Sequence, residues 1–156
     1  MAKVLLIVPT HGYKTEYPKF LGVTDFPSGI AYIASSLDKD NEVYGLNLNN
    51  IVGYATAYDM VKDLIIDALQ QVEPDIIGMG GLCVDYKFLK DAIGIIRENS
   101  RAKIVLGGNI VTGDGEFIFN TLKPDYAIEG EGEETMKRLC KGGDVKGIPN
   151  LWYWED

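Results

Sequence analysis

The chain of 156 residues has the length of one domain, since single domains run to roughly 100–200 residues. Hydrophobic residues make up 46% and charged residues 24%, which excludes an intrinsically disordered chain and is enough for a core without disulfides. Lys plus Arg number 15 and Asp plus Glu number 23, so the net charge is -8. This charge disfavours nucleic acid and anionic membranes as partners, because both are polyanions.

Cysteine content and the first residues favour a cytoplasmic location. Cys83 and Cys140 lie far apart and lack the C-x-x-C grouping of a metal site, so we expect two reduced thiols. The apolar run Val4–Val8 is too short for a signal peptide and is typical of a first strand. No apolar stretch reaches the roughly 18 residues of a membrane span.

Short runs rich in Val, Ile and Leu recur along the chain, as expected for strands buried on both faces of a parallel sheet. The five predicted strands are Val4–Val8, Val43–Leu48, Asp75–Met79, Lys103–Leu106 and Tyr126–Ile128. Between them, apolar side chains spaced at i, i+3, i+4 and i+7 predict helices. The predicted helices lie near residues 30–37, 60–72 and 89–96, and at Glu116–Leu122 and Glu134–Cys140.

Strands that alternate with helices predict a three-layer α/β fold with right-handed crossovers and helices on both faces of the sheet. For five strands, the flavodoxin-like (Rossmann-like) order 2-1-3-4-5 is the economical arrangement. We assign residues 1–143 to this domain. The tail, residues 144–156, carries Trp152 and Trp154 and fits no sixth strand–helix unit. We expect it either to pack along the sheet edge or to lead into a further domain.

The connection after the first strand is a candidate functional loop. In such sheets, ligands bind beyond the carboxyl ends of the strands, and loops as long as Pro9–Ser28 are usually functional. The loop is an ordered lid over an apolar ligand or, equally, a surface loop pinned by its aromatic side chains. Those side chains are Tyr13, Tyr17, Phe20 and Phe26.

Glycine clusters follow the third and fourth strands. The first cluster continues into Gly80, Gly81 and Leu82. The second is Gly107, Gly108 and Asn109, with Thr112 shortly after. Glycines leave the backbone bare where a ligand can approach, although they also make tight strand-to-helix turns. Two clusters at adjacent strand ends favour a ligand.

An acidic, glycine-containing segment, Glu129–Glu134, follows the fifth strand. Carboxylates in the first turn of a helix interact favourably with the helix dipole, so Glu133 and Glu134 have a purely structural explanation. A metal site made from this cluster is the weaker interpretation.

Four segments form a pattern that extends over nearly the whole chain. They are Pro27–Ala34, Pro74–Gly78, Gly107–Thr112 and Asp125–Glu133. In order and spacing they resemble the cobalamin-binding domain at the amino terminus of many cobalamin-dependent radical S-adenosylmethionine (SAM) proteins. The segment Ile148–Leu151 is similar to the exit of that family from this domain.

The resemblance implies that cobalamin, a corrinoid, is the cofactor. The corrin would lie over the carboxyl ends of the strands, and its nucleotide tail would run beside the glycine-rich turns. Gly80 stands where related proteins often have a serine, which removes a hydroxyl that could bond the tail. The implied cofactor-binding residues are Gly80, Gly81, Leu82, Gly107, Gly108, Asn109, Thr112, Gly130, Glu131 and Gly132.

The resemblance also implies a partner. In the family, a barrel with three clustered cysteines holds a [4Fe–4S] cluster and uses SAM, and this sequence has no such triplet. We therefore expect the cofactor module alone, with no catalytic residue of its own. It would present cobalamin to a radical SAM domain, in cis or in trans, of a methyltransferase or related enzyme.

His11 is the candidate cobalt ligand. Relatives that ligate cobalt through histidine use the motif D-x-H-x-x-G, but here Pro9 replaces the aspartate and Lys14 replaces the glycine. A ligating histidine normally needs a partner that orients it. We expect no protein ligand to the cobalt, and water or nothing below it. Tyr13 and the other loop aromatics would shield that face.

The residues also leave two alternatives to cobalamin binding. The segment with Thr10, Gly12 and Thr15 is weakly similar to a phosphate loop, which favours a flavodoxin-like electron carrier with bound FMN. However, that loop should be compact and rich in Ser and Thr. The other is a cofactor-free interaction or regulatory domain of the same fold. The receiver type would need an acidic pair, a phosphorylatable aspartate and a lysine at strand ends that lack them here.

Overall fold

The computed structural model describes residues 1–10, 13, 27–37, 39–49 and 51–155. Strands and helices alternate along the chain, with a short 3₁₀ turn at Cys83–Asp85 before the third helix. No helix within these ranges is long and apolar enough to cross a membrane. The elements are β1 (Lys3–Val8), α1 (Ser28–Leu37), β2 (Glu42–Asn47), α2 (Ala57–Val72), β3 (Ile76–Gly80), α3 (Tyr86–Asn99), β4 (Lys103–Gly107), α4 (Asn109–Leu122), β5 (Tyr126–Ile128), α5 (Glu133–Lys141) and β6 (Leu151–Tyr153).

The sheet has the order β2-β1-β3-β4-β5-β6. The first five strands are parallel, which confirms the predicted flavodoxin-like order. The predicted number of strands is one too few, because the tail supplies β6, which pairs antiparallel with β5. Of the two expectations for the tail, packing along the sheet edge is confirmed. The prediction rested on the alternation of parallel strands with helices, and an antiparallel edge strand is not part of that repeat.

The second strand differs from its prediction as a strand buried on both faces. β2 lies at the edge of the sheet, and Tyr44, at 40%, and Gly45 are exposed. An edge strand has a neighbour on one side only, so its side chains do not all reach the core.

Alternate side chains of β1 enter two separate cores. Leu5 and Ile7 pack on the face covered by α2, α3 and α4. Val4 and Leu6 pack on the opposite face, against α1 and α5. All four are at most 3% exposed, and burying such a side chain stabilises the fold by about 1.5–3 kcal/mol. The result is the predicted three-layer arrangement.

The fourth helix is longer than predicted. The apolar pattern predicts only Glu116–Leu122, whereas α4 begins at Asn109 and is interrupted at Asp114, where φ is -155° and ψ is 69°. The Asp114 carboxylate accepts a hydrogen bond from the Phe117 amide at 3.2 Å and so caps the second part. Gly113 and Gly115 flank the interruption, and their low helix propensity hides the first part in the sequence.

Both cysteines are free thiols, in agreement with the prediction. Cys83 is exposed on the 3₁₀ turn, and Cys140 is half-buried near the end of α5. Burial raises the pKa of the Cys140 thiol, so this sulfur is less reactive than a solvated one.

Asp125 joins three elements at the amino ends of the last parallel strands. Its carboxylate accepts a hydrogen bond from the Ile104 amide at 2.9 Å and pairs with Arg97 at 2.7 Å and Lys103 at 3.0 Å. Burial by itself raises the pKa of Asp125, but the hydrogen bonds from Ile104, Arg97 and Lys103 outweigh it, so the pKa lies below its usual value. The carboxylate therefore stabilises the junction of α3, β4 and β5 at neutral pH.

Replacing Asp125 with asparagine is expected to lower the free energy of unfolding by about 1–2 kcal/mol at pH 7. Because the folded-state pKa is depressed, this stabilisation is present above the unfolded-state pKa of about 3.9 and is lost as the pH falls through the folded-state value. Urea titrations at several pH values measure it. The matched control is Asp63→Asn at an exposed position of α2. If the difference in the free energy of unfolding between wild type and Asp125→Asn stayed constant down to pH 2, the stabilising role of the Asp125 carboxylate would be contradicted.

Candidate functional site

A cavity of about 600 Å³ opens at the carboxyl ends of β1, β3, β4 and β5. Small-molecule sites usually measure about 300–1,000 Å³. Leu6, Val105 and Gly107 contribute to its floor, and α1 and α5 form its walls. Since alternate residues of a strand face the same side of the sheet, the cavity lies on the α1–α5 side.

All of the predicted binding residues except Thr112 line this cavity. One set comes from the turn between β3 and α3, one from the start of α4, and one from the turn before α5. The tertiary structure thus brings together three segments that are distant in sequence. The lining residues are Gly80, Gly81, Leu82, Gly107, Gly108, Asn109, Gly130, Glu131 and Gly132.

The two glycine clusters pack directly against each other. A Cβ atom on Gly80 would lie 2.8 Å from the carbonyl oxygen of Gly107, and one on Gly108 would lie 3.1 Å from the amide nitrogen of Gly81. Gly108 also has a φ of +80°, which side chains rarely adopt. The Ile110 amide donates a hydrogen bond to the Gly81 carbonyl at 2.9 Å across this contact. These glycines are therefore needed by the fold itself.

Gly107 differs from Gly80 and Gly108 because it has room for a side chain. A Cβ atom there would have its nearest contact at 3.9 Å, the carbonyl oxygen of Ile128, and its φ is not positive. Neither packing nor backbone conformation requires a glycine at this position. The missing side chain instead leaves the cavity floor open, as a cofactor lying on the main chain would require.

The turn after β3 presents apolar side chains at the cavity mouth. The Asp85 carboxylate accepts a hydrogen bond from the Leu82 amide at 2.8 Å, and the Asp85 amide donates to the Leu82 carbonyl at 2.9 Å. These bonds form a compact turn that leaves Leu82 at 54% and Val84 at 83% exposed. Both residues line the cavity. A ligand at the mouth would cover them.

The acidic turn Glu129–Gly132 forms another wall. Thr112, which lies outside the lining, accepts a hydrogen bond through Oγ1 from the Gly130 amide at 3.0 Å. Its hydroxyl therefore supports the turn, and its role as a cofactor-binding residue stays a prediction. In the described part of the chain, no three His, Cys, Asp or Glu side chains are close enough together to hold a metal ion.

The charged residues that line the cavity are all carboxylates. They are Asp85, Glu131 and Glu133, and the described lining includes no Lys, Arg or His. A negative rim repels a multiply charged anion, whereas it accepts hydrogen bonds from amide groups of a ligand. The floor beneath this rim is apolar and glycine-rich.

Sequence reasoning missed the contribution of α1 to this site. Ser28 and Gly29 at the start of the helix, and Ile33 one turn later, line the cavity. The segment Pro27–Ala34 belongs to the pattern that carries the family resemblance, and it follows a strand end. That position was the available signal, because every helix after a parallel strand begins at the carboxyl edge.

Tyr13 packs against α3 and does not line the cavity. Its hydroxyl donates to Asp91 at 2.9 Å, its ring meets Phe88 edge-on at 5.6 Å, and Lys87 Nζ lies 5.6 Å from the ring centroid. Burial raises the pKa of Tyr13, and the bond to Asp91 raises it further. The ring thus has a packing role on α3, and its shielding of the cobalt stays a prediction. His11, Tyr17, Phe20 and Phe26 lie outside the described residues.

Alanine substitutions are expected to separate the two kinds of glycine. Gly80→Ala forces its methyl group against the Gly107 carbonyl and should lower the free energy of unfolding by about 1–3 kcal/mol. Gly107→Ala should change it by no more than about 0.5 kcal/mol. Urea denaturation of both variants provides the measurement. Equal losses at the two positions would show that Gly107 is also a packing glycine.

Comparisons with curated proteins identify relatives much longer than this chain. The chain is 29% identical over 163 aligned residues to an uncharacterized methyltransferase of Pyrococcus horikoshii. The alignment covers 99% of this chain and 33% of that protein. It is also 29% identical over 96 residues to an uncharacterized protein of Methanocaldococcus jannaschii, covering 61% of this chain and 18% of that protein. The chain thus spans about a third or less of the length of these relatives.

Solved structures share the fold. TsrM of Kitasatospora setae, a radical SAM methyltransferase with cobalamin and a [4Fe–4S] cluster bound, has a TM-score of 0.73 at 20% identity, covering 97% of this chain and 29% of that one. OxsB, a cobalamin-dependent SAM radical enzyme with aqua-cobalamin and SAM bound, has a TM-score of 0.74 at 16% identity. The match covers 100% of this chain and 21% of the OxsB chain.

The match to a known family covers most of the chain. Residues 22–140 match the B12 binding domain family, and this range includes the glycine turns, the start of α1 and the acidic turn that enclose the cavity. The same range contains most of the segments on which the resemblance in the sequence rests. The chain therefore belongs to the B12-binding domain family, and its cofactor is cobalamin.

Proposed function

We propose that this chain is a cobalamin-binding module that presents the corrinoid to a radical SAM catalytic domain and is not catalytic by itself. The observation that carries the proposal is the open, glycine-floored cavity at the carboxyl ends of the strands. Membership of the B12-binding family supports the cofactor. The radical SAM chemistry of TsrM and OxsB supports the nature of the partner.

The residues of the cavity suit the two parts of a nucleotide tail. The main chain of Gly107–Asn109 and Gly80–Leu82 would lie along the sugar and phosphate, where bare backbone permits close approach. The apolar side chains of Leu6, Val105 and Ile33 offer a surface for the benzimidazole ring. When bound, cobalamin supplies a cobalt centre for methyl transfer or radical chemistry in the partner domain.

The charges of the cavity favour cobalamin over FMN. The phosphate of FMN is a terminal group that can carry two negative charges, whereas the phosphodiester of the cobalamin tail carries one. Asp85, Glu131 and Glu133 line the cavity, and no cationic side chain of the described lining compensates them. The electrostatic cost is therefore lower for the cobalamin tail.

The proposed partner would bind the [4Fe–4S] cluster and SAM. A [4Fe–4S] cluster requires clustered cysteine ligands, and this chain has two cysteines, Cys83 and Cys140, on different elements. The cluster and SAM would therefore be bound by the partner domain, in cis or in trans. We propose that residues 144–156 lead toward that domain, which is in keeping with the greater length of the Pyrococcus relative.

Titration with hydroxocobalamin tests the proposed cofactor. The protein is mixed with excess hydroxocobalamin, desalted, and examined by visible spectroscopy, with FMN in a parallel sample. We expect the red to orange corrinoid spectrum to elute with the protein and the FMN sample to elute without flavin. Elution of colourless protein from the cobalamin sample, or of yellow protein from the FMN sample, would refute the proposal.

Gly107→Leu is expected to abolish retention of hydroxocobalamin. Gly107 tolerates a Cβ atom, so the variant should fold, and the side chain would fill the path of the tail. Far-UV circular dichroism and the thermal midpoint should stay unchanged while the corrinoid absorbance after desalting is lost. Gly94→Leu, on the exposed face of α3 with no atom near its Cβ, is the matched control. Gly108→Leu is unsuitable, because its positive φ would destabilise the fold.

Retention of the corrinoid by a folded Gly107→Leu variant would show that the tail does not run over this glycine. Loss of retention in the Gly94→Leu control would show that the assay responds to any added side chain. Either result would remove the support that Gly107 gives to the proposed path.

His11→Ala is expected to leave the visible spectrum of the bound corrinoid unchanged. Pro9 and Lys14 stand where the ligating motif has aspartate and glycine, so we propose that no protein nitrogen binds the cobalt. The check is the spectrum together with electron paramagnetic resonance of the Co(II) state. Hyperfine splitting from a protein imidazole, absent in the variant, would identify His11 as the ligand.

A further inference from the structure

Asn150 lies immediately before β6 and forms hydrogen bonds to the acidic turn through its side-chain Nδ2 and its main-chain carbonyl. Its Nδ2 donates to the carbonyl oxygens of Glu129 at 3.0 Å and Glu131 at 2.8 Å. Its Oδ1 accepts from the hydroxyl of Thr135 at 2.6 Å. Its main-chain carbonyl accepts from the Glu129 amide at 3.0 Å. One residue thus contacts the turn on both sides of Gly130.

The two carbonyl oxygens of the turn fix the orientation of the Asn150 amide. A carbonyl oxygen can only accept a hydrogen bond, so the atom that faces Glu129 and Glu131 must be Nδ2. Oδ1 then faces Thr135, which lies on α5, is 4% exposed and donates its hydroxyl proton to it. The side chain therefore joins the turn to α5.

The turn that Asn150 holds is a wall of the cavity. Gly130, Glu131 and Gly132 all line it. Gly130 has a φ of +71°, a backbone conformation that glycine adopts readily. Thr112 Oγ1 accepts a further hydrogen bond, from the Gly130 amide. Within the described chain, the amides of Glu131 and Gly132 have no hydrogen-bond partner, so the fixed turn keeps these donors available at the cavity.

We propose that Asn150 is a positioning residue: through its amide group it sets the shape of the turn Glu129–Gly132 and thereby the affinity of the cavity for cobalamin. The inference rests on the proposed function for the identity of the cofactor. Asn150 adjoins β6, and β6 pairs with β5. The last strand therefore holds Asn150 next to the turn Glu129–Gly132 that lines the cavity. The side chain acts on the cofactor only through the turn, since Asn150 is not among the residues that line the cavity.

Asn150→Asp tests this role. The substitution keeps an acceptor for Thr135 and replaces the donor by a carboxylate oxygen that faces the carbonyls of Glu129 and Glu131. We expect the dissociation constant for hydroxocobalamin to rise about tenfold or more. In the cofactor-free protein, the amide resonances of residues 129–132 should shift, with smaller changes elsewhere.

Asn99→Asp is the matched control. Asn99 also donates through Nδ2 to a main-chain carbonyl, that of Ile95 at 2.8 Å, but it lies at the end of α3, away from the cavity. It should leave the dissociation constant and the resonances of residues 129–132 unchanged. If Asn150→Asp does not fold, Thr135→Val removes the hydroxyl that donates to Asn150 Oδ1, leaves the side chain less firmly held, and is expected to weaken binding in the same direction.

The outcomes separate this inference from the proposed function. A folded Asn150→Asp variant that binds hydroxocobalamin with the wild-type dissociation constant would overturn the inference and leave the proposed function intact. If wild-type protein binds no hydroxocobalamin, the proposed function and the effect on affinity both fail. The resonances of residues 129–132 then still decide whether Asn150 sets the turn.

Discussion

The contact between two main-chain turns at the carboxyl edge of the sheet is the constraint on which the site depends. The turn after β3 and the turn after β4 approach so closely that a Cβ atom on Gly80 would lie 2.8 Å from the Gly107 carbonyl. The hydrogen bond from the Ile110 amide to the Gly81 carbonyl holds them together. Because no side chain separates the turns, they form a continuous main-chain floor. A bulky ligand can approach the main chain closely over this part of the floor.

The remaining wall depends on side chains that reach it from elsewhere in the fold. The acidic turn follows a strand of three residues, too short to define its shape. Thr112 from α4 and Asn150 from the segment before β6 hold it by hydrogen bonds to its main chain. The antiparallel strand β6 thus closes the sheet edge and also brings Asn150 to the cofactor wall.

The chemistry of the cavity fits the binding of a cofactor. Main chain and apolar side chains form its floor, and the charged lining residues are the carboxylates Asp85, Glu131 and Glu133. Such a surface can hold a corrinoid by shape, apolar burial and hydrogen bonds. Leu82 and Val84 at the mouth are exposed and would be covered by a bound ligand.

The sequence by itself determined the parallel α/β fold and marked the glycine clusters that line the cavity, because side-chain period and strand-end glycines are local signals. The order of the first five strands was chosen as the economical arrangement, and the tertiary structure established it. It did not reveal β6, because this strand pairs antiparallel with β5 and lies outside the strand–helix repeat that marked the other five. It did not separate Gly107, which is open, from Gly80, which is packed, because that difference is a distance to another turn. Only the tertiary structure brought Asn150 to the carbonyls of Glu129 and Glu131, since those hydrogen bonds join residues about 20 positions apart.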